Sequence, residues 1–149
     1  MELFNFYGFI IILVIMIPNI VFMLKNKNGF ENKYSNIKVE TLEQIGRFAC
    51  FLLMIINTPY LTKGYWFKNS EIIYICLNSI LCVLYCLFWI IFWNKDGIVK
   101  SLLLSIIPSI MFLSSGIILL NIPLIIFSII FSICHITISY KNAVLWRKK

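Results

Sequence analysis

Chemistry needs groups that can move protons or hold charge, and the apolar stretches of this chain contain few. One histidine occurs, His135, inside ICHITISYKN at positions 133–142. An imidazole exchanges protons near neutral pH and can act as a general acid or base. A carboxylate to orient it is offered by Glu43 in TLEQIGRF, with Arg47 four residues further on. At that spacing Glu43 and Arg47 share a helix face and can form an intrahelical ion pair. Asn19, directly after Pro18, adds an amide to the first apolar stretch. A Glu/His pair of this kind is equipped for proton transfer on a lipid-like substrate, so His135 and Glu43 are the catalytic candidates. The chain shows no phosphate-cradling glycine loop, no HExxH, no GxSxG and no paired carboxylates within an apolar stretch.

Metal and redox chemistry find less. Cys50, Cys76, Cys82, Cys86 and Cys134 all lie in apolar stretches, without a C-x-x-C pair. Metal binding and nucleophilic attack need the thiolate, and hydrocarbon opposes that charge. Cys82 and Cys86 share a helix face, yet all five read as small packing residues. One histidine and dispersed cysteines do not build a zinc site. Neither a metal nor a cofactor is expected.

The elements that must position these residues follow from composition. Of 149 residues, 61% are hydrophobic and 13% charged, whereas a soluble domain is about half apolar and about a quarter charged. The excess apolar surface calls for lipid as solvent. The formal charge of +7 falls in short clusters between apolar runs. Such clusters orient membrane proteins and do not suggest nucleic acid as a partner. The N-terminal MELFNFYGF has no basic n-region and no small-residue cleavage site after its apolar run, so it reads as a retained span.

A helical crossing needs about 20 apolar residues. Span 1 fits 3–24. Span 2 has too short an apolar core unless its helix starts at Thr41, whose spacing to Gln44 matches a capping box; it then runs 42–61. Span 3 is 71–93. The stretch 98–140 is too long for one crossing and breaks at LLNIPL, where Asn121 suits an N-cap and Pro123 a first turn. Spans 4 and 5 are then 98–120 and 122–140. The expected fold is an all-α integral membrane protein, a five-transmembrane-helix bundle forming one domain.

Five crossings place the termini on opposite sides. One side receives Lys25, Lys27, Lys33, Lys38, Lys95, Lys100, Lys141, Arg147, Lys148 and Lys149; the other receives Lys63 and Lys68, with Glu2. The basic side is cytoplasmic by the positive-inside rule, so the N-terminus is expected outside and the chain in the cell membrane. Tyr60, Tyr65 and Trp66 mark the outer interface, and Trp89, Trp93, Tyr140 and Trp146 the inner one.

Depth then gathers the polar residues. His135 and Asn19 each lie six residues from a cytoplasmic-side lysine, about 9 Å in. Arg47 and Glu43 enter from the same side. Ser128, Ser132, His135 and Ser139 form a stripe on span 5, matched by Ser101, Ser105 and Ser109 on span 4. Small residues let helices approach, and their hydroxyls can bond across. Asn57 and Asn78 lie toward the outer side, where they could pair with each other, and are assigned no function. Ionisable residues inside spans face the bundle interior and by default mark function. The expected site is therefore a polar pocket of Asn19, Glu43, Arg47, Ser132, His135 and Ser139 toward the cytoplasmic leaflet.

Three functions suit that pocket: binding or passage of a small or lipid-like molecule, a membrane-embedded enzyme using His135 and Glu43, or a structural, accessory or immunity-type protein with no ligand. The partners implied are membrane lipids, a small hydrophobic or amphipathic ligand, and a second copy or another membrane subunit.

Overall fold

The computed structural model describes residues 3–25, 33–95 and 97–147, and among them the regular structure is helical. Glu2, Lys27, Lys148 and Lys149 lie outside the described residues. The helices are α1 (Phe6–Lys25), α2 (Ile37–Ile55), α3 (Ser70–Ile91), α4 (Ile98–Ile118) and α5 (Ile122–Arg147). Four of them, α1, α3, α4 and α5, are long and apolar enough to cross a membrane. α2 has the length but carries Lys38, Glu40, Glu43 and Arg47.

Capping sets the ends. Asn5 accepts from the Gly8 N–H at 3.0 Å and opens α1. α2 starts a turn before Thr41, a correction to the capping-box reading. Asn36 Oδ1 accepts from Val39 N at 3.4 Å, and Asn36 N donates to Glu40 Oε1 at 3.2 Å. Asn outranks Thr as a cap, and the Glu40 carboxylate suits the positive end of the helix. α2 also ends at Ile55 and not near Leu61. Asn5 N donates to Ile55 O at 2.7 Å and Asn57 N to Leu3 O at 2.8 Å, drawing the exit into an extended pairing with the N-terminal segment. Pro59 then disfavours a helical Thr58. The break at LLNIPL forms as expected: Asn121 Oδ1 accepts from Leu124 N at 3.0 Å. α5 runs on past Tyr140, because nothing in KNAVLWR stops a helix. Its extension holds the segment before α2, with Tyr34 N donating to Asn142 Oδ1 at 2.8 Å and Lys33 Nζ 3.8 Å over the Trp146 ring.

The helices close a ring in the order α1–α2–α5–α4–α3, with a lesser contact of α2 to α4 across it. α1 and α3 run parallel, since Asn5 meets Tyr74 near one end and Asn19 meets Tyr85 toward the other. Two close approaches depend on glycine. A Cβ on Gly46 would sit 3.1 Å from the Phe131 backbone of α5, and one on Gly8 only 2.0 Å from Met54 O of α2. The ring interior is filled by Met54, Tyr74, Met111, Phe112 and Leu124, all nearly or fully buried. Its outside shows apolar stripes such as Ile10, Leu13, Ile17 and Ile20 on α1 and Ile122, Ile126, Ile129 and Ile133 on α5. Apolar surface on that scale is costly in water and marks contact with lipid or protein.

The serine stripes serve packing and not cross-helix bonding. Ser105 donates to Ser101 O, Ser109 to Ser105 O, Ser128 to Ile125 O and Ser132 to Ser128 O, each back along its own helix. A carbonyl one turn back is always within a serine's reach. The Asn57–Asn78 pair does not form, because Asn57 lies beyond the end of α2. Asn78 instead donates to Tyr74 O at 2.9 Å and accepts from Ser115 Oγ at 3.2 Å.

Candidate functional site

The last turns of α1, α3 and α5 and the first turns of α2 and α4 meet at one end of the ring. Between them lies a cavity of about 430 Å³ to which all five helices contribute lining. Its most enclosed carboxylate is Glu43, whose side chain is 4% exposed. Glu43 Oε1 accepts from Arg47 Nε at 3.1 Å and also from Arg47 Nη2. His135 Nδ1 approaches the same oxygen from α5, at 2.9 Å. The imidazole is held from behind by the Phe131 ring, stacked at 4.7 Å between centroids and 19° between planes. Gly46 lets α2 and α5 come close enough for this contact.

Asn19 lines the same cavity but makes its bonds elsewhere. Its Nδ2 donates to Ile15 O at 2.8 Å and to the Tyr85 hydroxyl at 2.9 Å, and that hydroxyl donates back to Asn19 Oδ1 at 3.1 Å. The structure thus brings Asn19, Glu43, Arg47, His135 and Ser139 into one lining and leaves Ser132 out, its hydroxyl bonded to the Ser128 carbonyl.

Three lining residues escape a search for polar groups in apolar runs. Tyr85 and Trp89 sit one turn apart on α3, both buried and both facing the cavity. Trp89, expected at the membrane interface, is 7% exposed and belongs to the interior. Its indole N–H is buried near the Tyr85 hydroxyl, with no hydrogen-bond partner of normal geometry. Lys100, in the first turn of α4, is 4% exposed; its ammonium lies 5.0 Å from the Phe22 ring centroid and 5.6 Å from that of Trp89. The i, i+4 spacing of Tyr85 and Trp89 was the available signal, masked by the apolar company both keep.

Beyond the cavity the ring is filled by Ile15, Cys50, Met54, Cys82, Met111 and Phe112. That apolar layer separates the cavity from the polar residues at the other end, Asn5, Tyr74, Asn78 and Ser115. Among the described residues no group of three or more His, Cys, Asp or Glu side chains could hold a metal ion. Chemically, the arrangement can hold an imidazole in a fixed orientation through a carboxylate, and it can present a guanidinium to whatever enters.

The fold and cavity define a class: an all-helical bundle in which four apolar helices are compatible with a membrane, hollowed at one end. No family model matches the chain, and neither the curated proteins nor the solved structures contain one similar to it.

Proposed function

We propose that the chain is a five-span integral membrane protein of the cell membrane, with its N-terminus outside and its C-terminus in the cytoplasm. Its cavity is then a binding site, open to the cytoplasmic leaflet, for a small amphipathic or lipid-like molecule. The parallel course of α1 and α3 supports α2 as the fifth crossing. If two parallel neighbours both cross, the chain between them must return, and α2 is the helix that makes that return. Its charged side chains are compatible with a crossing because Glu43 and Arg47 turn into the ring, while Leu42, Ile45, Phe48 and Leu52 are exposed.

The observation that carries binding is the cavity itself, lined by five helices and holding the Glu43–Arg47–His135 ionic group in its wall. Amphipathic pockets with a few convergent polar groups are the usual form of small-molecule sites. The apolar layer beyond it favours binding over passage. Native mass spectrometry of the detergent-purified protein tests this reading. The wild type retains an amphiphile, and Ser101→Phe, which fills the cavity at a half-buried position, loses it while its melting temperature holds. A wild type that retains none, or a Ser101→Phe protein that retains as much, overturns it and leaves the accessory role.

The contact of His135 with Glu43 favours a second reading, an enzyme acting on such a molecule. A carboxylate at Nδ1 leaves Nε2 of a neutral imidazole as the basic nitrogen, the arrangement of a general base and its orienting group. Turnover of bound lipid by the wild type and not by His135→Gln supports that reading; retention without turnover excludes it.

A further inference from the structure

The cavity lining divides into polar groups already engaged and groups that still offer an N–H. Glu43, 4% exposed, lies behind Arg47 and His135, whose side chains are 34% and 22% exposed. Within the cavity the guanidinium and the imidazole are thus more accessible than the carboxylate they share. Arg47 gives Nε and Nη2 to Glu43, and a guanidinium has further N–H donors and no acceptor. On the neighbouring wall Trp89 is buried and its indole N–H lacks an acceptor. Buried donors are nearly always satisfied, and an unpaired one in a cavity wall marks where an acceptor belongs.

The aromatic side of the cavity excludes the opposite kind of ligand. Quaternary ammonium groups bind over aromatic faces, but the Phe22 and Trp89 faces already carry the Lys100 ammonium, 5.0 and 5.6 Å away. A second cation there would be repelled. We propose that the molecule bound carries a phosphate group without a cationic extension, its oxygens accepting from Arg47 on α2 and Trp89 on α3. This deepens, and rests on, the reading of the cavity as a binding site. Tetrahedral phosphate offers oxygens in several directions to donors arriving from different helices, and arginine matches its geometry. The group comes from one of two sources, the phosphate monoester head of a lipid or free phosphate.

The test is native mass spectrometry of the full-length protein with dioleoyl phosphatidic acid, dioleoyl phosphatidylcholine and oleic acid, and with inorganic phosphate as competitor. The expected result is a preference of about tenfold for phosphatidic acid over oleic acid, the scale of one or two charge-assisted hydrogen bonds, with phosphatidylcholine disfavoured because the Lys100 ammonium repels its choline. Trp89→Phe, which keeps an aromatic ring and deletes the N–H, reduces the preference; Arg47→Gln removes it. Should Arg47→Gln fail to fold, Trp89→Phe carries the test alone. Displacement by millimolar inorganic phosphate assigns the free ion as the source, and its failure to displace assigns the lipid. Equal retention of all three amphiphiles, or an undiminished preference in Trp89→Phe, overturns the phosphate assignment and leaves the binding site standing. Retention of none overturns both.

Discussion

At the scale of single residues, the site turns on one buried carboxylate shared by two cations or potential cations. Removing either partner of a buried ion pair is not symmetrical, because the cost depends on what is left behind. Arg47→Met leaves Glu43 buried with only the imidazole beside it, and we expect a loss of about 3 kcal/mol, the usual scale for breaking a buried pair. Glu43→Gln leaves Arg47, which is 34% exposed and can extend its head toward water; about 1 kcal/mol is expected, the scale of a lost hydrogen bond. Glu43→Gln combined with Arg47→Met then restores much of what Arg47→Met loses. A double-mutant cycle on thermal unfolding in detergent measures this, and additive losses would refute the coupling. His135→Ala removes one neighbour from a carboxylate that keeps Arg47, and about 1 kcal/mol is expected.

At the scale of elements, apolar length reports where a helix can lie in hydrocarbon, but local hydrogen bonds decide where it starts and stops. Spans 3, 4 and 5 were legible at their N-terminal ends for that reason: KNS, KDG and LLNIPL are breaks in composition as well as in structure. α2 was misplaced at both ends, since Asn36 and Glu40 form a cap in a polar stretch with no apolar signal, and the exit after Ile55 pairs with residues 3–5, far away in sequence. Depth along the spans was legible and brought Asn19, Glu43, Arg47 and His135 to one cavity. Rotation was not. Trp89 and Tyr85 face inward because α1 and α3 are neighbours; their i, i+4 spacing marks a shared face but not the direction in which it turns. The same neighbour relations make a prediction about glycine. At Gly8 an added Cβ meets the rigid Met54 carbonyl at 2.0 Å, whereas at Gly46 the nearest atoms, of Phe131, stand at 3.1 Å. Gly8→Ala must push α1 from α2 and should cost about 1–3 kcal/mol, the range for overpacking. Gly46→Ala needs a shift of only a few tenths of an ångström and should cost less. Equal melting temperatures for the two variants would contradict these contacts.

At the scale of the whole molecule, the question is whether α2 crosses. Its partners bear on the answer. Its first turn follows Tyr34, which is bonded to Asn142 near the end of α5, and its last turn meets Asn5 at the start of α1. α2 therefore runs the depth of the ring between the same two levels as the apolar helices beside it. Counting crossings turns this into an experiment. With α2 inserted there are five crossings, and the termini lie on opposite faces. With α2 outside the membrane there are four, and the termini lie on the same face. Charge decides the orientation: ten of the thirteen Lys and Arg residues fall at the ends shared by the α1–α2 connection, the α3–α4 connection and the C-terminus, against Lys63 and Lys68 at the other. A reporter fused after Lys149 should read cytoplasmic and one before Met1 external. A thiol introduced at Lys63, in the exposed turn after α2, should react with an impermeant reagent from outside the cell, and one at Lys95 only after lysis. Both termini reading cytoplasmic, with Lys63 shielded from outside, would remove α2 from the membrane.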